Sequence, residues 1–109
     1  MGWLVRDGEV LAAMEIADTA RSRRRGLLGR DSFEGALVLR PCRHVHTAGM
    51  RFALDVAFCD ADGTVLRTAT LAPWRLSPIV RRAAFVIEAE AGAFDRWRLV
   101  RGDRLEIRV

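Results

Sequence analysis

The sequence contains no lysine, tyrosine, asparagine or glutamine, so all eighteen of its basic residues are arginine. Because a guanidinium group stays protonated at any ordinary pH, an all-arginine set raises the isoelectric point without requiring a nucleic-acid partner. The formal net charge is only +4, and fourteen acidic residues are interspersed with the arginines along most of the chain. No known nucleic-acid-binding motif and no interleaved aromatic residues accompany the arginines. The composition therefore argues against nucleic-acid binding.

The chain also lacks an apolar run that approaches the length of a membrane span, about 20 residues. Residues 1–7 do not carry the apolar stretch of a signal peptide, and Arg6 does not fit a myristoylation site. We therefore expect a cytoplasmic protein with no membrane partner. Only two cysteines are present, Cys42 and Cys59, and both are expected to be free thiols in a reducing compartment.

No repeat, low-complexity segment or linker divides the 109 residues, which predicts a single domain over 1–109. A domain of this length buries roughly two thirds of its unfolded surface. It therefore needs neither a disulfide nor a metal ion to hold its core together.

Alternating apolar residues predict several β-strands. Asp7-Gly8 is typical of a two-residue hairpin turn, which would join strands at 3–6 and 9–17. Residues 52–60 alternate as well, and they are followed by a turn and a returning strand at 64–71. Three further strands are predicted at 37–39, 84–91 and 105–109.

Two short helices complete the pattern. Asp18 or Thr19 can cap a helix over roughly 19–28 that ends at Gly29, and a second helix is predicted from Ala93 to Val100. The first helix would place Ala20, Leu27 and Leu28 inward and Arg21, Arg23, Arg24 and Arg25 in solvent. The predicted fold is mainly β, a compact β-sandwich or partly closed barrel with one or two short helices. Trp3 and Trp97 are expected in its core, and Val109 is expected to point inward.

Several motifs occur in one order along the chain: A-D-T at 17–19, R-G-L-L-G-R at 25–30, H-T-A-G-M-R-F-A-L-D-V-A-F at 46–58, D-G at 62–63, V-I-E-A-E-A-G at 86–92 and G-D at 102–103. This series resembles a bacterial and archaeal family known as domain of unknown function 192. Leu28 and Ala53 stand where that family commonly has Met and Pro. The resemblance implies a β-sandwich-like fold and supplies no activity, cofactor or catalytic residue.

The segment 42–51 concentrates the reactive side chains, including both histidines. If it is extended, His44 and His46 share one face and could approach one metal ion. Cys42 and His46 would then lie about 13 Å apart, too far to share that ion. Structural zinc takes four ligands, and only Cys59 remains to complete a set. We therefore predict no metal and no other cofactor, with His44 and His46 as the alternative metal site.

Cys42 beside a histidine also has the residue types of a nucleophilic site. The alternative, which we favour, is a small buried thiol that only packs.

Two acidic residues interrupt apolar strands, and a buried carboxylate needs a partner. Asp55 can brace the turn before it through Arg51, Thr47 or the amides around Gly49. Glu88 also needs a partner if it is buried. Asp55 and Glu88 would form an acid–base pair if they shared a face of the sheet.

The function predicted from these residues is a non-catalytic module that binds a small molecule or a protein partner through the loop 42–51. Its candidate pocket residues are His46, Thr47, Met50, Arg51, Asp55, Trp74 and Glu88. The alternative is an enzyme of unknown substrate that uses His46, Asp55 and Glu88 for acid–base chemistry.

Overall fold

A computed structural model describes residues 2–109. In chain order it contains seven β-strands and two short α-helices: β1 (Gly2–Arg6), β2 (Glu9–Ala17), α1 (Ala20–Arg25), β3 (Ala36–Leu39), β4 (Leu54–Cys59), β5 (Val65–Leu71), β6 (Phe85–Glu90), α2 (Ala93–Trp97) and β7 (Leu105–Arg108). None of the helices in this part of the chain is long and apolar enough to cross a membrane.

All seven strands belong to one sheet, in the order β5-β4-β6-β3-β2-β1-β7. Every neighbouring pair is antiparallel except β2 and β3, which are parallel. The sheet curls into a half-barrel. This confirms the predicted mainly-β class and, of the two architectures expected, the partly closed barrel.

The two edge strands approach one another at one corner of the half-barrel. Thr64, just before β5, forms an isolated bridge with Arg104, just before β7. Backbone hydrogen bonds from Val65 to Asp103 and from Leu105 to Gly63, each 2.8 Å long, strengthen this corner. The curled sheet is therefore held partly closed by backbone contacts outside its regular ladders.

The first hairpin forms as predicted. Asp7 and Gly8 both have positive φ, 50° and 79°, as a type I′ turn requires. Arg6 on β1 pairs with Glu9 on β2 directly across the turn.

Strands β4 and β6 lie in the middle of the sheet and are covered on both faces. On one face, Ala57 and Cys59 of β4 join Phe85, Ile87 and Ala89 of β6 in a core that also includes α2. On the other face, apolar residues of β4 and Val86 of β6 pack under the loops that connect the strands: Leu54, Val56 and Phe58 from β4, with Leu27, Val45, Met50 and Ala83 from the loops. The alternation predicted for β4 and β6 is confirmed.

The first helix is shorter than predicted. Thr19, rather than Asp18, caps it: its Oγ1 accepts a 3.0 Å hydrogen bond from the Ser22 amide, and Ser22 Oγ accepts one from the Thr19 amide. The helix ends at Arg25 because Gly26 has a φ of 49° and donates its amide to the carbonyl of Ser22. Gly26 thus ends the helix three residues before Gly29.

This early end changes which side chains are buried. Leu27 is buried as expected, but Ala20 and Leu28 are exposed, and Arg23 is half-buried. The prediction assumed one helical period through residue 28, whereas 26–28 follow a different backbone path.

Three other burial predictions are wrong. Trp3 is 49% exposed and Val109 extends past the end of β7 into solvent. Val100 is exposed because α2 ends at Trp97. Trp97 itself is half-buried, with its ring 5.6 Å from that of Phe94.

Candidate functional site

A cleft of about 790 Å³ lies between the α1 region and the segment 41–50. The central strand β6 contributes Glu88 to it. Its other lining residues are Ala20, Arg23, Arg24, Arg25, Gly26, Leu27 and Leu28 from the α1 region, Leu39 and Leu54 from the sheet, Pro41, Cys42, Arg43, His44, Val45, His46, Ala48 and Met50 from the segment, and Ala83 and Ala84. The cleft therefore joins the predicted loop to a helix region that lies more than ten residues earlier in the sequence.

Glu88 is the buried ionisable group of this cleft. Its register partners are Leu37 on β3 and Val56 on β4, so its backbone is fixed on both sides, and its side chain is only 3% exposed. Among residues 2–109, Glu88 Oε1 is the buried side-chain oxygen or nitrogen that has no hydrogen-bond partner. Burial raises the pKa of Glu88 to about 7, because removing water penalises the ionised carboxylate.

Gly26 stands directly against this carboxyl group. A Cβ atom placed on Gly26 would lie 3.3 Å from Glu88 Oε1. The glycine thus has two roles, since it allows the positive φ that ends α1 and it leaves room above the carboxyl group.

Arginines dominate the charge around the cleft. Arg23 is half-buried, and its guanidinium donates hydrogen bonds to the carbonyls of Asp18 (3.0 Å) and Arg40 (3.3 Å). Arg24, Arg25 and Arg43 also line the cleft and are exposed. Glu88 is the sole acidic residue among the lining side chains of the described chain.

The two histidines lie at the mouth of the cleft. Val45 and Thr47 are buried, whereas His44 and His46 are exposed, as alternation along an extended segment requires. The Ala48 amide donates a 3.3 Å hydrogen bond to His46 Nδ1. Within residues 2–109 no group of three or more His, Cys, Asp or Glu side chains is placed to hold a metal ion together.

The Cys42 thiol donates to the carbonyl of His44, with Sγ 3.1 Å from the oxygen. Burial is the largest influence on this thiol and raises its pKa. The hydrogen bond to His44 partly opposes burial, the charge of Glu88 adds a smaller increase, and Arg23 and the Arg43 backbone lower the pKa slightly. Burial raises the pKa of Cys59 to about 12. Both sulfurs are free thiols in the structure, and their surroundings favour the protonated form rather than a nucleophilic thiolate.

Asp55 lies outside the cleft. It pairs with Ala89 across β4 and β6, whereas Glu88 pairs with Val56, so the two acids face opposite sides of the sheet. The Asp55 carboxylate accepts hydrogen bonds from Thr70 Oγ1 (2.7 Å) and from the amides of Gly92 (2.9 Å) and Phe94 (3.1 Å). Asp55 therefore fixes the start of α2, and the acid–base pair of Asp55 and Glu88 considered from the sequence is excluded by the strand register.

The remaining predicted pocket residues separate into two groups. Met50 is buried in the wall of the cleft. Thr47 is fully buried and binds the loop 72–75: its Oγ1 donates to the carbonyl of Ala72 (2.7 Å) and accepts from the amide of Arg75 (2.8 Å). Arg51 pairs with Asp31 at 2.6 Å on the surface, and Trp74 is 69% exposed. The structure thus brings His46, Met50 and Glu88 together and leaves Thr47, Arg51, Asp55 and Trp74 outside the cleft lining.

The sequence matches the DUF192 family (Uncharacterized ACR) over residues 3–107. The chain belongs to the DUF192 family. The resemblance inferred from the ordered motifs is therefore confirmed.

Two relatives of this DUF192 chain are UPF0127 proteins of Pyrococcus. The protein of Pyrococcus abyssi is 30% identical over 98 residues, with 85% of this chain and 84% of the relative covered. The protein of Pyrococcus furiosus is 31% identical over 103 residues, with coverage of 90% and 89%.

Two crystal structures share the fold of the DUF192 chain. A protein of unknown function from Novosphingobium aromaticivorans superposes with a TM-score of 0.77 at 22% identity, covering 85% of this chain and 73% of that one. A protein of Sinorhizobium meliloti, for which a role in transcription regulation has been suggested, gives 0.79 at 24% identity, with coverage of 97% and 91%. At these identities the likeness concerns the fold alone.

The sequence interpretation missed the α1 side of the site. Arg23, Arg24 and Arg25 were assigned to a solvated helix face, and Gly26 was placed inside the helix. The available signal was the R-G-L-L-G-R stretch at 25–30, which is one of the motifs of the DUF192 resemblance. Glycine is common just after the last turn of a helix, and arginines are favourable in that turn, so Gly26 was a candidate for the end of α1.

Proposed function

We propose that this DUF192 protein is a small-molecule-binding domain whose site is the cleft between α1 and the segment 41–50. The observation that carries the proposal is the buried Glu88 Oε1, which has no hydrogen-bond partner and lies at an open cleft. Buried polar groups are almost always paired, and an unpaired one costs about 1–3 kcal/mol. A ligand that donates a hydrogen bond to this oxygen would remove that cost.

The form of the cleft supports the same function. Its volume of about 790 Å³ is within the range of small-molecule sites, roughly 300–1,000 Å³. Its walls are mainly apolar, with a few polar groups in defined positions, as such sites usually are. A protein partner would need a broader and flatter surface than this concave one.

The proposal can be tested by screening a fragment library against ¹⁵N-labelled protein by NMR. Binding in the cleft would shift the amides of 26–28, 42–48 and Glu88, and would leave those of 92–94 beside Asp55 unchanged. E88Q should weaken the binding of these fragments, because the substitution removes the negative charge of the acceptor while it keeps the shape of the side chain.

Glu90→Gln is the matched control, since Glu90 lies two residues further along β6 and is not part of the cleft lining. A screen in which no fragment perturbs the cleft amides would reject the proposal, as would equal losses of affinity in the two variants.

A second candidate function is acid–base catalysis by Glu88 with His46, without Asp55. A carboxyl group with a pKa of about 7 in a cleft can accept and return a proton near neutral pH. Each fragment that binds the cleft can be incubated with the protein and recovered. Unchanged fragments would support a binding domain, whereas a product that is lost in both E88Q and H46A would support the enzyme.

The location and the range of partners stay as predicted from the sequence. We expect a cytoplasmic protein that does not bind nucleic acid or membranes. Titration of DNA at two salt concentrations checks the nucleic-acid prediction, because arginine–phosphate binding would weaken steeply as salt is raised.

A further inference from the structure

We infer that the ligand of this cleft carries a nitrogen cation at one end, an apolar body, and an anionic group at the other end. This inference rests on the proposed function and specifies the chemistry of its ligand. Three parts of the cleft carry it: the buried Glu88, the apolar walls, and the arginines at the mouth.

The buried end of the cleft selects a donor that carries positive charge. An ionised carboxylate only accepts hydrogen bonds, so the unpaired Oε1 of Glu88 calls for an N–H or O–H group from the ligand. A neutral donor would fill the hydrogen bond but would leave a buried charge uncompensated. An ammonium or amidinium group supplies both the donor and the opposite charge.

Within residues 2–109, no side chain competes with the ligand for this position. No side chain of the described residues bonds to Oε1, and Gly26 presents no Cβ above it. The half-buried Arg23 lines the same cleft, but one of its guanidinium nitrogens donates to the carbonyls of Asp18 and Arg40 instead. The cation that would neutralise Glu88 is therefore left for the ligand to supply.

The walls of the cleft favour an apolar body for the ligand. The buried lining residues other than Glu88 are all apolar: Leu27, Leu39, Val45, Met50, Leu54 and Ala83. Burial of methylene groups against such a surface is favourable by roughly 0.8 kcal/mol for each group. These walls provide no hydrogen-bonding side chain for a polar body.

The mouth of the cleft selects an anion. Arg24, Arg25 and Arg43 are exposed there, and none of the three forms a salt bridge with another residue in 2–109. His44 and His46 stand at the same end. An exposed anionic group on the ligand would meet several guanidinium donors and no competing carboxylate.

Three probes of equal chain length separate these contributions: 8-aminooctanoate, octylamine and octanoate. Isothermal titration calorimetry and ¹⁵N NMR at pH 7.5 give affinity and location. We expect 8-aminooctanoate to bind most tightly, with cleft amides shifted. E88Q should weaken 8-aminooctanoate and octylamine by about ten-fold or more, and should leave octanoate within about two-fold.

A double variant at the mouth of the cleft tests the predicted contact with the anionic end of the ligand. R25Q with R43Q should weaken 8-aminooctanoate and octanoate by several-fold and should not weaken octylamine. Glu90→Gln again serves as the control that leaves all three affinities unchanged.

The pH dependence of octylamine binding is an independent test of this inference. The titratable groups that line the cleft are Glu88, Cys42, His44 and His46, and its arginines remain charged throughout. Ionised Glu88 binds the ammonium group, so octylamine should bind more tightly as pH rises from 5.5 to 8. The matched comparison is E88Q, which retains both histidines and should show a smaller rise in octylamine affinity. A protonated Glu88 that donated to an acceptor ligand would give the opposite trend.

The outcomes distinguish this inference from the proposed function. If library fragments bind the cleft and lose affinity in E88Q but not in E90Q, whereas the amines do not bind or keep their affinity in E88Q, the inference is overturned and the binding domain stands. If neither these probes nor any library fragment shifts the cleft amides, both are overturned.

Discussion

Gly26 and Glu88 meet at the inner end of the cleft, where the absent side chain of the glycine faces the unpaired carboxyl oxygen at a distance of 3.3 Å from an ideal Cβ. The two residues are 62 positions apart in the sequence and belong to a helix end and a central strand. Their contact makes the space above the carboxyl group depend on a single missing methyl group.

Substitution of Gly26 by Ala should therefore destabilise the protein and narrow the cleft. Gly26 has a φ of 49° and a ψ of −128°, a conformation that costs an alanine about 1–3 kcal/mol, and crowding against Glu88 adds to this cost. Gly29→Ala is the matched control, because Gly29 also has a positive φ but an added Cβ would meet nothing within 4 Å. Urea unfolding should show a larger loss for G26A than for G29A. Equal losses would mean that Glu88 does not limit the space at Gly26.

The buried Glu88 should make stability depend on pH. Its pKa rises from 4.5 to about 7 on folding, so between these values the folded protein holds the proton more firmly than the unfolded chain. The free energy of unfolding should therefore fall as pH increases from 4.5 to 7, by about 3 kcal/mol for this group alone.

E88Q should remove this contribution. Its stability should exceed that of the wild type at pH 8 and approach it at pH 4.5, as measured by denaturant unfolding at each pH. If the unfolding free energies of the wild type and E88Q changed in parallel over the whole pH range, the raised pKa of Glu88 would be contradicted.

Asp55 should contribute to stability and not to the cleft. D55A leaves the Thr70 hydroxyl and the amides of Gly92 and Phe94 without their acceptor, and we expect a loss of about 2–4 kcal/mol. T70V removes only one of the three hydrogen bonds and should cost about 1 kcal/mol. Thermal unfolding measures both variants. A folded D55A that loses cleft ligands at full wild-type stability would show that Asp55 has a direct role in binding.

Cys42 should react slowly with alkylating reagents at neutral pH. Burial and the charge of Glu88 raise the pKa of its thiol, and the thiolate is the reactive form. Iodoacetamide labelling at pH 7, followed by mass spectrometry, should modify Cys42 more slowly than a free cysteine does. Cys59 should be labelled only after unfolding, given its complete burial and a pKa of about 12. Rapid and selective labelling of Cys42 would instead indicate an activated nucleophile.

The fold could be predicted largely from local patterns. Asp7-Gly8 and the alternation of β4 and β6 depend on neighbouring residues, so the hairpin and the faces of these strands were read correctly. The end of α1 differs from the prediction. The spacing of apolar residues continues through Leu27 and Leu28, whereas the backbone leaves the helix at Gly26.

The site was only partly predictable, because it depends on contacts between distant segments. Whether Asp55 and Glu88 share a face is decided by the register of β4 against β6, which no local pattern reports. Thr47 belonged to the expected loop, but its hydroxyl is used to hold Ala72 and Arg75. Of the predicted pocket residues, His46 and Glu88 line the cleft, whereas the arginines of its lining come partly from a helix that the sequence alone does not bring to the loop.

The buried acid of the cleft lies on a central strand, whereas the residues at its mouth lie outside the strands. This difference affects which positions can be substituted without loss of the fold. Glu88 is held in a strand that is paired on both sides, so a substitution there that changes the size of the side chain disturbs the packing against β3 and β4. Residues at the mouth, such as Arg25, Arg43 and His44, are exposed and lie outside regular strands. Under the proposed binding function, substitutions at these positions would alter which compounds the cleft recognises at little cost to folding.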